Sequence, residues 1–189
     1  MDLLLAAFPP ELGPWLEAPP AGWRSDCTGI GALTAAVTTA RLLQDHRPER
    51  VLFLGTCGAY DDRLAVGDLL AVSQAIAASA PELRGAAFRP QAERTRWAAT
   101  WPLALRSHAV VVPPAITTDL RDADLLSTLG PAEHLELTGV FAACHGAGVP
   151  CAAALGVANA VGPEAHEQWR HHHREVSASL RAAVLPLLG

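Results

Sequence analysis

The sequence predicts a single α/β domain in which helices cover both faces of a mainly parallel, partly mixed central sheet, giving three α/β/α layers. Three observations predict this class. Apolar runs alternate with amphipathic segments, the apolar runs are nearly continuous, and half of the 189 residues are hydrophobic. Strands that are buried on both faces have this continuous apolar character. A chain of this length is expected to form one domain, residues 1–189, with a sizeable core.

Apolar runs bounded by Gly, Pro or charged residues predict buried strands. These runs occupy residues 2–8, 50–60, 66–76, 108–114 and 151–157. In the second run, the two glycines of "GTCGAY", Gly55 and Gly58, predict that the strand ends in a tight turn.

Helices are predicted between these strands. Helical spacing of apolar residues, or capping residues at the ends, marks residues 33–47, 117–130, 139–144 and 169–187. Residues 77–107 show no clear period, and a loop with a short helix is expected there.

Composition excludes several classes of function. All fourteen basic residues are scattered arginines and the net charge is −5, so no nucleic-acid footprint is present. The cysteines Cys27, Cys57, Cys144 and Cys151 form no C-x-x-C pair and are expected to be reduced thiols without a metal. A signal peptide and an apolar stretch long enough for a membrane span are both missing from the sequence pattern. The expectation is a soluble, cytoplasmic protein.

In parallel α/β sheets, ligands bind at the carboxyl ends of the strands. This rule predicts that residues 6–11, 54–60, 112–118 and 157–161 form the walls of a site. Glu11 could act there as a general base, although a solvated loop glutamate is the simpler interpretation of that residue alone. Thr56 and the backbone amides near it could hold an anion or a hydroxyl, and Asn159 could bind the edge of a heterocycle.

The C-terminal helix carries two features that suggest ligands. His171, His172 and His173 are consecutive, so on a helix they point in three directions and are not expected to share a metal ion. Trp169 begins the apolar face of this helix and is expected to belong to the core, although its position also leaves it available for stacking.

Four stretches occur in an order that resembles the nucleoside phosphorylase and nucleosidase superfamily, and most closely the futalosine hydrolases. They are "LLLAAFPPELGPWLE", "TGIGALTAAVTTARLL", "VLFLGTCGAYDDRLAVGDLLAVS" and "TGVFAACHGAGVPCAAALGVANAVGPEAHEQW". The last stretch has Ala158-Asn159 where methylthioadenosine and adenosylhomocysteine nucleosidases usually have Ser-Asp, which favours the futalosine hydrolases.

The resemblance implies cleavage of the N-glycosidic bond of a purine nucleoside, such as futalosine in menaquinone biosynthesis, without a cofactor. It implies that Glu11 activates water and that Asn159 stabilises the leaving purine. Contacts to the substrate are implied for the Thr56–Gly58 strand end, the residues before the late helix and the strand before Asn159. These are Thr56, Gly58, Glu136, Leu137, Thr138 and Val157. The relatives imply a homodimer or larger homo-oligomer.

Two departures from the family pattern leave alternatives open. The family usually has Met-Glu, whose Glu binds the ribose hydroxyls, where this chain has Leu137-Thr138, and Glu136 could substitute for that Glu. A catalytically impaired member that binds a nucleoside-like ligand, or acts as a partner subunit, is therefore an alternative. A phosphate-dependent phosphorylase is disfavoured because Phe53 lies where phosphorylases carry a phosphate-binding Arg.

Overall fold

The computed structural model describes residues 1–188, which form an eight-stranded sheet flanked by helices. The elements follow in the order β1 Asp2–Ala6, α1 Pro9–Leu12, β2 Trp23–Cys27, α2 Ala32–His46, β3 Val51–Ala59, β4 Leu69–Ala77, α3 Ala80–Leu83, β5 Arg96–Ala98, β6 Ser107–Val112, α4 Leu120–Ser127, β7 Ala132–Glu133, α5 Leu137–Ala147, β8 Cys151–Ala160 and α6 Ala165–Val184. Single 3₁₀ turns cover Gly13–Leu16 and Leu185–Leu187.

The sheet is mixed, as predicted. Its order is β2-β1-β3-β7-β6-β4-β5, and β8 pairs with both β3 and β4. Five pairings are parallel: β1 with β2, β1 with β3, β3 with β8, β4 with β6, and β6 with β7. The pairings of β3 with β7, β4 with β5 and β4 with β8 are antiparallel.

Alternate residues of the central strands supply two separate cores. Leu3 and Leu5 of β1 pack with α2 and α5, whereas Leu4 and Ala6 pack with α6. Successive side chains of a strand point to opposite faces, and all four of these side chains are fully buried. The sheet is therefore covered on both faces, which confirms the predicted three layers.

Three local predictions need correction. "GTCGAY" does not turn after residue 54, because β3 continues to Ala59 with a register shift between Cys57 and Gly58. Helix α5 is longer than residues 139–144. Residues 77–107 contain the short strand β5 besides a helical turn, and β5 is held by antiparallel pairing with β4. A three-residue strand has too few residues to show a period, so only tertiary pairing defines it.

Helices α2 and α5 approach each other closely at Gly139. A Cβ atom there would lie 2.0 Å from the backbone oxygen of Ala32. Because the clash is with backbone atoms, a change of side-chain rotamer cannot relieve it. This contact sets the distance between the first turn of α5 and the first turn of α2.

Within residues 1–188, no helix is both long enough and apolar enough to cross a membrane.

Gly139→Ala should destabilise the fold by about 3 kcal/mol or more, because the backbone of α2 must move. Gly146→Ala is the matched control on the same helix. A Cβ there meets nothing within 4 Å, so the better helix former should stabilise the fold by about 0.5–1 kcal/mol. Urea denaturation of both variants measures the difference, and equal effects would contradict this account of the helix contact.

Candidate functional site

A cavity of about 250 Å³ opens at the carboxyl ends of β1, β3 and β8. All four segments that the sequence predicted as walls contribute to it, through Glu11, Thr56, Ile116 and Asn159. The loop after β2, the residues before α5 and the first turns of α6 complete the lining. The strand-end rule therefore located the cavity correctly.

Glu11 lies at the base of the cavity, with its side chain almost completely buried. Its Oε1 accepts hydrogen bonds from the Thr56 backbone N–H at 2.8 Å and from the Thr56 hydroxyl at 2.9 Å. Its Oε2 accepts one from the Ala7 N–H at 3.1 Å. Three donors thus fix the Glu11 carboxylate. The sequence suggested that backbone amides near Thr56 hold an anionic ligand, but the Thr56 N–H binds the Glu11 carboxylate instead.

Burial raises the pKa of Glu11 from 4.5 to about 7, since desolvation penalises the charged form. The hydrogen bonds from Thr56 and Ala7 oppose this shift, and the nearby Glu136 carboxylate adds to it. A carboxylate with a pKa near neutrality is suited to take a proton at physiological pH.

The last long helix also fixes the backbone of Glu11. The Arg181 guanidinium donates from Nη1 to the Glu11 backbone oxygen at 2.7 Å. The same guanidinium occupies the space beside Gly13, where a Cβ atom would lie 2.8 Å from the Arg181 Cζ. Helix α1 is a single turn, so its carbonyl oxygens lack partners within the helix. The Arg181 guanidinium supplies a donor to one of them, the Glu11 oxygen.

Trp169 lines the cavity, which corrects the expectation that it belongs to the core. Its indole N–H donates to the Thr56 hydroxyl oxygen at 3.0 Å. That hydroxyl in turn donates to Glu11, so Trp169, Thr56 and Glu11 form one chain of hydrogen bonds. His173 stacks on the Trp169 ring with centroids 4.3 Å apart, and Phe8 lies 5.7 Å from it. The aromatic wall is therefore held rigidly beside the carboxylate.

Asn159 and Gly58 also line the cavity. Asn159 follows the register shift and pairs with Gly58. Its Nδ2 donates to the Ala160 oxygen at 2.9 Å, so a second N–H and the Oδ1 stay available. A Cβ atom at Gly58 would stand 2.8 Å from that Nδ2. Glycine therefore keeps the space in front of the amide open.

Glu136 also lines the cavity and is the N-cap residue of α5. Its Oε1 accepts the Gly31 N–H at 2.7 Å. Gly31 has φ +87°, a conformation that favours glycine, and it caps α2. The carboxylate thus joins the loop before α2 to the start of α5.

His134 fixes the Glu136 backbone and is neutral. Its Nδ1 accepts the Glu136 N–H at 3.1 Å, which places the ring proton on Nε2. Burial lowers the pKa of His134. The Glu136 carboxylate lies 3.2 Å from the same Nδ1, but a nitrogen that accepts a hydrogen bond carries no proton for an ion pair.

Three of the predicted contact residues lie outside the cavity lining. Leu137 and Thr138 are buried in the first turn of α5. Thr138 is two positions beyond Glu136 on a helix, so the two side chains point in very different directions. Val157 is buried in β8, where its backbone pairs with residues 67–68.

Glu133 lines the cavity and was missed by the sequence analysis. It ends β7, which has only two residues and shows no period. Its Oε2 accepts the Tyr60 hydroxyl at 2.9 Å, and its Oε1 accepts the Thr117 N–H at 3.2 Å. Burial raises the pKa of Glu133. The sequence does carry one signal for Glu133. The stretch "EHLE" places two glutamates within four residues, directly before α5.

The described part of the chain contains no cluster of three or more His, Cys, Asp or Glu side chains that could hold a metal ion. His171 and His172 contact each other edge to face, with ring centroids 4.7 Å apart, while His173 turns toward Trp169. The four cysteines are free thiols.

Thr56→Val removes the hydroxyl that donates to Glu11 and accepts from Trp169. The pKa of Glu11 lies above its ordinary value, so the native state loses stability as the pH rises from 4.5 through about 7. The variant should worsen this loss. We expect a cost of about 1 kcal/mol at pH 5.5, where the carboxyl is neutral, and about 2–3 kcal/mol at pH 8.5, where it is charged.

Urea denaturation at the two pH values measures these costs. Thr56→Ser keeps the hydroxyl and is the control, which should stay close to the wild type at both pH values. Equal costs of Thr56→Val at pH 5.5 and 8.5 would contradict the hydrogen bond to an ionisable Glu11.

Sequence comparison finds relatives over a short segment. A 5′-methylthioadenosine/S-adenosylhomocysteine nucleosidase of Marinomonas sp. is 41% identical over 49 residues, which cover 26% of this chain and 21% of that protein. The corresponding nucleosidase of Shewanella loihica is 38% identical over 47 residues, 25% of this chain and 20% of that protein. The chain therefore matches only about a fifth of the length of these curated relatives.

Structural similarity extends over nearly the whole chain. A futalosine hydrolase mutant of Helicobacter pylori superposes with a TM-score of 0.83 at 17% identity, covering 97% of this chain and 96% of that one. The methylthioadenosine/adenosylhomocysteine nucleosidase of the same organism, solved with butyl-thio-DADMe-Immucillin-A, gives 0.85 at 16% identity, covering 99% and 97%. The Colwellia psychrerythraea nucleosidase, solved with adenine, gives 0.84 at 17% identity, covering 100% and 94%. At these identities the similarity establishes the fold.

The family follows from a sequence profile. The model of the phosphorylase superfamily matches residues 27–188, which is most of the chain and includes Thr56, Glu133, Glu136 and Asn159. The chain belongs to the phosphorylase superfamily.

Proposed function

We propose that this protein is a hydrolytic nucleosidase that cleaves the bond between C1′ of a ribosyl group and N9 of a purine. The observation that carries the proposal is the Glu11 carboxylate, which is buried at the base of the cavity with a pKa of about 7 and held by three hydrogen bonds. A fixed carboxylate of this pKa is matched to removing a proton from water at neutral pH. The named nucleosidases of the same fold support the assignment.

The reaction has two parts. Glu11 removes a proton from water as the water oxygen bonds to C1′ and the C1′–N9 bond breaks. The bonding electrons leave with the purine, which takes up a proton from solvent, and Glu11 afterwards releases to solvent the proton that it accepted. The sugar carries positive charge in the transition state. The Glu136 carboxylate stabilises that charge or binds the sugar hydroxyls, and the free N–H of Asn159 stabilises the negative charge on the leaving base. Such contacts strengthen as charge develops.

The charge of the cavity favours water over phosphate as the attacking group. Among the described residues that line it are three glutamates, Glu11, Glu133 and Glu136, and no arginine or lysine. A phosphate dianion would be repelled there, since like charges at short range are costly in a partly desolvated site. Hydrolysis therefore fits the cavity better than phosphorolysis.

The sequence resemblance extends the proposal to futalosine as the substrate, in menaquinone biosynthesis, and to a cytoplasmic homodimer or larger homo-oligomer. The Asn159 amide in place of a carboxylate supports futalosine over methylthioadenosine. Purified protein incubated with futalosine, aminodeoxyfutalosine, methylthioadenosine, adenosylhomocysteine, inosine and adenosine, each with and without phosphate, should release free base without phosphate. Release only with phosphate would overturn the hydrolytic assignment.

Glu11→Gln removes the general base and should lower kcat/KM about 10²–10⁴-fold. In the wild type, kcat/KM should rise with pH and level off above an apparent pKa near 7, because only the ionised Glu11 accepts a proton. Chromatography of released base between pH 5 and 9 measures both. Glu17→Gln, at an exposed glutamate that follows the 3₁₀ turn after α1 and lies outside the cavity lining, is the control and should leave the rate unchanged. A flat profile in the wild type would contradict the role of Glu11.

Glu136→Gln tests whether Glu136 serves the sugar in place of a glutamate at residue 138. The variant keeps an acceptor for the Gly31 N–H but loses the charge, so kcat/KM should fall about 10–100-fold. Thr138→Glu should not rescue it, because residue 138 is buried in the first turn of α5 and is not among the residues that line the cavity. Rescue by Thr138→Glu would show that the sugar is bound from residue 138.

A catalytically impaired protein that binds a nucleoside-like ligand, or acts as a partner subunit, is the second candidate. Thr138 favours it, because the charged acceptor of the family pattern is missing at that position. It predicts that adenine or hypoxanthine raises the melting temperature while none of the six nucleosides is cleaved under any condition.

A further inference from the structure

The Glu11 carboxylate has one hydrogen-bond acceptor position that the described residues leave open. An ionised carboxylate offers about four such positions, shared equally by its two oxygens. Oε1 is filled by the backbone N–H and the hydroxyl of Thr56, at 2.8 and 2.9 Å. Among the described residues, Oε2 accepts only the Ala7 N–H, at 3.1 Å. The other position on Oε2 is therefore where Glu11 can accept a hydrogen bond from another molecule.

Trp169 determines the direction in which the Thr56 hydroxyl donates. An indole N–H can only donate, so the Thr56 oxygen, which lies 3.0 Å from it, must accept. The single hydroxyl proton is directed to Oε1 of Glu11. One lone pair of the Thr56 oxygen remains. Toward any further partner this hydroxyl is therefore an acceptor and not a donor.

The Trp169 ring is itself held in place from both sides. His173, four residues further along α6, stacks on the ring with centroids 4.3 Å apart and an angle of 14° between the planes. The His173 Nδ1 also lies 3.0 Å from the Trp169 backbone oxygen. Phe8 approaches the indole with ring centroids 5.7 Å apart. The indole N–H is thus directed at Thr56 before any substrate binds.

We propose that Trp169 is a positioning residue that keeps Oε2 of Glu11 and the Thr56 oxygen as paired acceptors for the attacking water, a role that rests on the proposed nucleosidase reaction. The Thr56 oxygen lies 2.9 Å from the other oxygen of the same carboxylate, so one water molecule can reach both acceptors. Both water protons then point to the protein, and the lone pairs of the water oxygen stay free for C1′.

The proton transfer follows from this orientation. As the water oxygen bonds to C1′ and the C1′–N9 bond breaks, one water proton passes to Oε2 of Glu11. The bonding electrons leave with the purine, as in the proposed reaction. Without the Trp169 N–H, the Thr56 hydroxyl is free to turn and donate to the water oxygen. That donation occupies a lone pair that has to attack C1′.

Trp169→Phe removes the N–H and keeps an aromatic ring beside His173 and Phe8. We expect kcat to fall about tenfold and KM to stay within about twofold, because the orientation of the water matters in the transition state and not for binding the nucleoside. Trp97→Phe, in β5 and outside the cavity lining, is the matched control and should leave both constants unchanged. Chromatography of the base released from the cleaved nucleosides measures both variants. A raised KM at unchanged kcat would overturn the positioning role.

The coupling of Trp169 to Glu11 can be measured without turnover. Ionisation of Glu11 places a charge at the far end of the hydrogen-bond chain, and indole fluorescence responds to nearby charge. The fluorescence of the wild type should therefore contain a transition with an apparent pKa of about 7. Glu11→Gln and Trp169→Phe should each lack this transition.

Other ionisable groups near the chain do not confuse this test. Protonation of His166 or His173, which stack against Trp169, would change the fluorescence in Glu11→Gln as well as in the wild type. The ionisable and charged groups near Glu11 likewise remain in that variant. They are Cys27, Cys57, Glu136 and Arg181.

The outcomes separate the positioning role from the proposed activity. If nucleosides are cleaved but Trp169→Phe keeps the full kcat, or Glu11→Gln keeps the whole fluorescence transition, the role of Trp169 is wrong while the nucleosidase stands. If no nucleoside is cleaved but the transition is present, the activity and the assignment of Oε2 are wrong, and the coupling of Trp169 to Glu11 stands. Should Trp169→Phe fail to fold, a wild type without the transition still overturns the inference.

Discussion

The contact between Thr56 and Glu11 is the constraint on which the rest of the site depends. A carboxylate this deeply buried would be too costly without donors, and Thr56 supplies two of its three. The same threonine accepts the indole N–H of Trp169. Strand β3 therefore positions helix α1, which carries Glu11, relative to helix α6, which carries Trp169. The cavity lies beside these contacts.

A second set of contacts closes the other side of the cavity. The absence of a side chain at Gly139 lets α5 lie against the first turn of α2. That approach brings Glu136 within 2.7 Å of the Gly31 N–H. The loop before α2 and the start of α5 are thus fixed by packing and by a hydrogen bond at once. The Glu136 carboxylate is therefore held by a backbone N–H. Among the described residues that line the cavity there is no arginine or lysine to hold it.

The sequence was sufficient for the layers and for the segments that meet at the strand ends, because these follow from apolar period and strand direction. Glu11, Thr56 and Asn159 lie in those segments, but the roles expected for them came from the family resemblance. It was insufficient for Glu133 and Trp169. A strand of two residues has no period, and helical spacing does not reveal whether an aromatic face meets the core or a cavity. The glycines of "GTCGAY" permit a turn but do not require one, and pairing with β8 keeps that segment extended.

The hydrogen bond from Arg181 to the backbone of Glu11 joins residues that are 170 positions apart. The ribosome synthesises the chain from the N-terminus to the C-terminus, so Glu11 is made long before helix α6, which holds its backbone. Until residues 169 and 181 have been made, Glu11 lacks both the Trp169 end of its hydrogen-bond chain and the Arg181 anchor of its backbone. A nascent chain that does not yet contain residue 181 therefore carries Glu11 without its complete set of partners.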